Sequence, residues 1–245
     1  MKPYSTRASL LYGFGRLSQS IVHQASFSQR LSSTAETPLV YPKPPTSNHH
    51  DLASFLNYAD RSGLDPKSTT YVGTHYEYTV ALALAKYGFS LKRIGGHSDF
   101  GIDLVGTWSI PSSARPLRVL LQCKAVSRKV SPHMMRELEG TFAGAPVGWR
   151  GPEVLAFLVS ENPATKGVRD AFGWSRRPMG FIACSRAGQL RQMVWNPPAV
   201  QLGLEGLGVG TRLSPVPGGE PELRLLWKGK HLPLQEPSAA QDVAE

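Results

Sequence analysis

Apolar side chains along this chain switch between two periods, one suited to helices and one to strands. Leu52, Phe55, Leu56 and Ala59 recur at i, i+3, i+4 and i+7 behind Asp51, with Gly63 beyond them, so a short capped helix is predicted there. Val72, Tyr76, Val80, Ala83 and Tyr87 form a second stripe at helical spacing, predicting a helix from about Ser68 to Lys86 that stops at Gly88. Glu77 lies at the margin of that stripe, on the side of Val80 and Leu84. A carboxylate at a core edge needs a partner.

The pattern then shortens. Strands are predicted over 89–94, 103–108 and 117–124, the last reading Leu-Arg-Val-Leu-Leu-Gln-Cys-Lys. Ser131-Pro132 supplies an N-cap and a first-turn proline for a helix that puts Met135, Leu138 and Phe142 on one face. A buried strand follows at 154–160, then a helix capped by Thr165 and running to about Phe172, then a strand at 179–184. This alternation predicts an α/β fold, a mixed β-sheet flanked by helices on both faces, spanning residues 51–196. Trp174, on the last turn of the second of these helices, is expected to face the core, although stacking on a nucleic-acid base is the alternative role.

The flanks read differently. Residues 1–35 are rich in Ser and Arg and free of acids, and Leu10, Phe14, Leu17 and Ile21 share one helical face, the composition of a mitochondrial transit peptide directing a protein to the matrix. Residues 36–50, with Pro38, Pro42, Pro44 and Pro45, read as an extended linker. Residues 197–235 form a Gly- and Pro-rich extension with a hairpin-like pair around Gly218-Gly219, and 236–245 a polar tail expected to be disordered. No apolar run approaches the roughly 20 residues of a spanning helix, so no membrane span is expected.

Charge changes the picture of partners. The net charge is +9, and residues 86–136 hold nine basic side chains against Asp99 and Asp103. Arg93, Arg128, Lys129 and Arg136 within that segment are candidate contacts for nucleic acid, most of all DNA. Cys123 and Cys184 each sit in an apolar strand-like run, as packed thiols do, and no zinc-like Cys and His cluster is present.

The candidate chemistry gathers where the basic segment meets the strands. Gln122 and Lys124, two apart on a strand, share a face, and Asp103 opens the neighbouring strand, so pairing would bring a carboxylate, an amide and an ammonium together. Hydrolysis of a phosphodiester needs such a set: oxygen ligands for a hard cation, Mg²⁺ or Mn²⁺, and a cation beside the attacking water. Asp103 and Gln122, with the Cys123 carbonyl, are candidate metal ligands, Glu77 a further metal or water ligand, and Lys124 the group that orients water. His97, in the Gly95-Gly96-His97-Ser98 turn, is read as a surface residue.

In these residues the chain resembles the PD-(D/E)xK nuclease superfamily, and within it the Mrr-like branch of restriction endonucleases, where Gln stands for the second acid. The matching run is Gly73-x-x-Tyr76-Glu77, Gly88-Phe89, Gly95-Gly96, Asp99-x-Gly101-Ile102-Asp103-Leu104, Gln122-Cys123-Lys124 and Ser131-Pro132. With its leader, the whole chain is similar to a family of fungal mitochondrial proteins that support respiratory growth. The resemblance implies a restriction endonuclease-like sheet and catalytic residues Glu77, Asp103, Gln122 and Lys124, with metal at Asp103 and Gln122 assisted by Glu77. It implies a Mg²⁺-dependent endonuclease acting on mitochondrial DNA. A homodimer would suit double-strand cutting, though no residue specifies one. The alternative is a nucleic-acid-binding or respiratory assembly factor that kept the fold without the catalysis.

Overall fold

The computed structural model describes residues 39–96, 101–213 and 220–236. The leader over residues 1–35, the turn tip with His97 and Asp99, the Gly218-Gly219 tip and the tail beyond Glu236 lie outside the described residues.

Helix α1, Leu52–Ser62, opens on a reciprocal cap. The Ser54 N–H donates to Asp51 Oδ1 at 2.7 Å, and the Asp51 N–H donates to Ser54 Oγ at 3.0 Å. Helix α2, Thr69–Ala85, starts where the Tyr71 N–H donates to Ser68 Oγ at 3.2 Å. It is buried on two sides. Tyr76, Val80, Ala83 and Leu84 pack on the sheet, whereas Tyr78 turns to Phe55 and Ala59 of α1.

Six strands form the main sheet in sequence order: β1 Phe89–Arg93, β2 Leu104–Trp108, β3 Leu117–Lys124, β4 Val154–Ser160, β5 Met179–Cys184 and β6 Leu190–Trp195. The pairs β1–β2, β2–β3 and β5–β6 are antiparallel, while β3–β4 and β4–β5 are parallel, as the intervening helices α3, Pro132–Gly144, and α4, Lys166–Gly173, require. Strand β4 is buried throughout, which fits a central strand covered on both faces. The alternation seen in the sequence thus folds into the expected mixed sheet with helices on both faces. One face packs on α2 through Leu104, Val119, Leu121 and Phe157, and the other on α3 and α4 through Val105, Leu120, Leu158 and Phe181.

Three details depart from the sequence reading. Strand β6 escaped it because Arg191 and Gln192 interrupt its apolar residues, as suits an edge strand. Ser131 occupies the N-cap of α3, yet its hydroxyl meets His133 Nδ1 at 3.0 Å and caps no backbone N–H. Trp174 is not in the core. It is 88% exposed, because α4 has only eight residues and Val168 and Phe172 already fill its inward face.

A second, three-stranded antiparallel sheet follows, of β7 Leu207–Arg212, β8 Glu222–Trp227 and β9 Lys230–His231. Leu207, Leu223 and Leu225 join the α2-side core. Between the sheets, a short α5, Pro197–Ala199, continues into a π turn, Val200–Leu204. Asn196 fastens this junction. Its Oδ1 accepts from Met179 N–H at 3.0 Å and Ala199 N–H at 3.2 Å, and its Nδ2 donates to the Arg177 and Phe172 carbonyls.

Candidate functional site

The site forms where the β2–β3 ladder ends. That ladder pairs Leu104 with Leu121, and the Asp103 N–H still donates to the Leu121 carbonyl at 2.9 Å. Past this point the Cys123 N–H takes a side chain instead, donating to Asp103 Oδ2 at 2.6 Å. The Asp103 carboxylate is therefore clamped to the backbone between Gln122 and Lys124.

Gln122 and Lys124 project from one face of β3 and meet at one acceptor. Gln122 Nε2 and Lys124 Nζ each donate to Glu137 Oε1, on the second turn of α3, at 3.2 Å. With its nitrogen committed to Glu137, the Gln122 amide leaves Oε1 buried and without a hydrogen-bond partner among the described residues. Such an orphaned acceptor is costly. The neighbouring backbone is fitted around this amide: a Cβ on Gly101, whose φ is +77°, would stand 2.8 Å from Gln122 Nε2.

The other half of the site comes from α2. Glu77 Oε2 accepts from Arg93 Nε at 2.5 Å, both side chains only 12% exposed, and Arg93 also reaches Thr74 Oγ1 at 3.4 Å. Gly95 lies just past β1, its N–H bonded to the Asp103 carbonyl at 2.9 Å. A Cβ on Gly95 would come within 3.1 Å of both Glu77 Oε2 and Asp103 Oδ1. The Glu77 carboxylate of α2 and the Asp103 carboxylate at the end of the sheet thus both close on Gly95, where any side chain would have to push them aside.

Electrostatics follows this arrangement. Burial pushes the Cys123 thiol well above its ordinary value, and the Asp103 and Glu77 carboxylates push it further. Burial also raises the Glu137 carboxyl, but the Lys124 ammonium and the Gln122 amide outweigh it and hold Glu137 below the usual carboxylate range. Cys123 and Cys184 are both free thiols.

All four residues singled out from the sequence, Glu77, Asp103, Gln122 and Lys124, come to this end of the sheet. Arg93 is turned inward, paired with Glu77 and only 12% exposed. Arg128, Lys129 and Arg136 are exposed. Glu137 is the residue that the sequence did not assign to the site. Its signal is slight: it precedes Leu138, a core position, so it stands at the margin of the face that α3 lays on β3. Among the described residues no three His, Cys, Asp or Glu side chains group closely enough to hold a metal by themselves. The oxygens able to serve a hard cation are Asp103 Oδ1, Glu77 Oε2 and Gln122 Oε1.

Such a sheet, with an acid, an amide and an ammonium at the end of its β2–β3 ladder, defines a mixed α/β protein. The family described as required for respiratory growth protein 7 matches residues 68–115 and 109–213, and the chain belongs to it. An uncharacterized mitochondrial protein of Schizosaccharomyces pombe is 30% identical over 158 residues, 63% of this chain and 62% of that protein. The required for respiratory growth protein 7 of Zygosaccharomyces rouxii, named mitochondrial, is 30% identical over 170 residues, 53% of this chain and 68% of its own length. Its namesake in Vanderwaltozyma polyspora is 32% identical over 138 residues, 39% of this chain and 54% of its own length. The chain thus spans less than two thirds of the length of the first and third of these relatives. No solved structure matches it. Among the described residues no helix is long and apolar enough to cross a membrane.

Proposed function

We propose that this chain is a mitochondrial PD-(D/E)xK nuclease of the Mrr-like kind, hydrolysing phosphodiester bonds in DNA in support of respiratory growth. The observation that carries the reading is the buried Gln122 Oε1, without a hydrogen-bond partner among the described residues and one residue before the Cys123 N–H that holds the Asp103 carboxylate; only a cationic ligand or a donor would satisfy such an oxygen. The approach of Asp103 Oδ1 and Glu77 Oε2 to one point beside Gly95 supports the same reading, since it draws two carboxylates to the same end of the sheet. A divalent ion such as Mg²⁺, with ligands from Asp103 and Gln122 and through water from Glu77, fits this donor set, because Mg²⁺ takes oxygen ligands and keeps several waters. When bound, it would supply Lewis-acid polarisation of the phosphate.

The chain's own residues then have separate work. Asp103, held by the Cys123 N–H, has one oxygen fixed and the other turned toward Gly95, so its orientation is set in advance. Arg93 offsets the charge of Glu77, so the second carboxylate can stand near the first in a buried place. Lys124, 25% exposed and steadied by Glu137, presents its ammonium where it would orient water and offset charge growing on the phosphate. Arg128 and Lys129, exposed on the following loop, extend the positive surface toward the polyanion.

A second reading, a nucleic-acid-binding or respiratory assembly factor that kept the fold, is favoured by one observation. Both cations of the site, Arg93 and Lys124, are already engaged by protein carboxylates. One assay separates the two. The 245-residue chain is incubated with supercoiled and linear DNA and with RNA, in Mg²⁺, Mn²⁺ or EDTA, beside Asp103→Ala and Lys124→Ala. Metal-dependent cutting of DNA that both substitutions abolish is the expected result. Salt-sensitive binding without cutting, unaltered in either variant, overturns the enzyme in favour of the binding factor.

A further inference from the structure

Trp174 has no part in the site described above, yet it is the most exposed large apolar side chain among the described residues, at 88%. Trp108 and Trp149 are fully buried, and Trp195 and Trp227 are half-buried. Exposing an indole forgoes one of the largest burial gains open to any residue. Its backbone is nevertheless held firmly. The Trp174 N–H donates to the Asp170 and Phe172 carbonyls as the C-cap of α4, Phe172 before it is buried, and Ser175 after it donates from Oγ to Glu139 Oε1 at 2.7 Å. A ring on so fixed a stem loses little further freedom on meeting a ligand.

Its surroundings are basic. Arg176 and Arg177 follow it in the chain and are exposed, as is Arg169 on α4. The Arg177 guanidinium lies over the Phe142 ring, 4.9 Å from its centroid, and Arg169 donates to the Ala164 carbonyl at 3.2 Å. Of the nearby acids, Asp170 is paired with Lys166 at 2.8 Å and Glu139 sits on the Ser175 hydroxyl. No other exposed large apolar side chain lies on α4 or in the turn after it. A protein hot spot would want such neighbours as a water-excluding rim, whereas a base on an aromatic platform wants cations for its phosphates.

Helix α4 also points away from the site. Before it, Asn162 Nδ2 donates to the Ser127 carbonyl at 2.8 Å, on the loop that carries Arg128 and Lys129 after Lys124. In its first turn, Gly167 lies so close to Pro132 at the start of α3 that a Cβ there would stand 3.1 Å from the proline Cγ. From that end the eight residues of α4 run about 12 Å to Trp174.

We propose that Trp174 is a stacking platform for an unpaired base of a single-stranded nucleic acid, with Arg176 and Arg177 holding the flanking phosphates and Arg169 on α4 between the platform and the Lys124 loop. It rests on the reading of nucleic acid as this chain's substrate and gives that substrate a single-stranded portion beside the scissile bond. The test titrates the 245-residue chain, in EDTA to suppress cutting, into a fluorescein-labelled oligothymidylate of about 12 nucleotides, following anisotropy and tryptophan emission. Emission is expected to be quenched on binding, and binding to weaken steeply with salt. Trp174→Ala should weaken it about 5- to 150-fold while Trp174→Phe retains most of it. A duplex of the same sequence should lose less than threefold in Trp174→Ala, a difference that mere surface charge would not produce. Absence of binding, equal binding by Trp174→Ala, or equal losses on single strand and duplex overturns the platform. Stacking with no cutting in Mg²⁺ would instead refute the nuclease and leave the platform standing.

Discussion

Glu77 Oε2, from helix α2, and Asp103 Oδ1, from the start of β2, face one point 3.1 Å from each, the place where a side chain on Gly95 would begin. Neither carboxylate could be placed beside the other by local sequence, since 26 positions separate them and each is held by its own partner, Arg93 in one case and the Cys123 N–H in the other. The relationship makes Gly95 the most informative single substitution.

Gly95→Ala places a methyl group between the two oxygens and should push both aside by a few tenths of an ångström. The expected cost in stability is about 1 kcal/mol. Metal-dependent cutting should fall by more than about tenfold, as a 1 Å misplacement costs on the order of 100-fold. A melting curve beside a cleavage assay separates the two effects, and unchanged cutting would remove Gly95 from the site.

Arg93→Ala should be far more damaging to the fold than its position near a loop suggests. It leaves the Glu77 carboxylate, 12% exposed, without its cation. Removing one partner of a buried pair costs about 3–5 kcal/mol. Urea unfolding of Arg93→Ala and of the double variant Arg93→Met, Glu77→Gln checks this; the double variant should recover much of the loss.

His49 gives a pH dependence. Burial, and then the charges of Arg93 and His50, hold its imidazole below the ordinary histidine value, and its Nδ1 meets the Tyr78 hydroxyl at 2.8 Å. A depressed value in the folded state means the unfolded chain binds the proton more readily. Stability is therefore complete above about pH 6.5, the unfolded value, and is lost as pH falls through the lower folded value. Melting temperatures between pH 8 and 5 should decline below about 6.5, and in His49→Gln that part of the decline should flatten.

Asn196→Ala removes a side chain that is nearly fully buried and whose two polar atoms serve five backbone groups, on α4, the turn after it, β5 and α5. Leaving those groups unsatisfied costs on the order of 3 kcal/mol or more. Asn196→Asp retains the two accepting contacts and loses the donating ones, so it should fall between. Chemical denaturation ranks the three proteins.

Much of the fold was legible beforehand because each element announced itself locally. Asp51 and Ser68 cap their helices, and the eight-residue run of β3 is largely apolar, as a strand covered on both faces is. Strand β6 was not legible, since an edge strand wet on one side needs few apolar residues. Trp174 misled for a related reason: hydrophobicity states a preference for burial, and whether an eight-residue helix has inward space left for one more ring depends on Val168 and Phe172 filling it first.

At the site the division is sharper. Strand periodicity alone puts Gln122 and Lys124 on one face, because successive side chains on an extended backbone must alternate, and the shared acceptor Glu137 Oε1 bears this out. Composition alone shows a surplus of positive charge around them. Only the tertiary structure decided that Arg93 turns inward to Glu77, that Asp103 spends one oxygen on the Cys123 N–H, and that Glu137 joins from α3. Those pairings arise between elements far apart in the chain, where a buried charge takes whichever opposite partner the packing of helices on the sheet brings within reach.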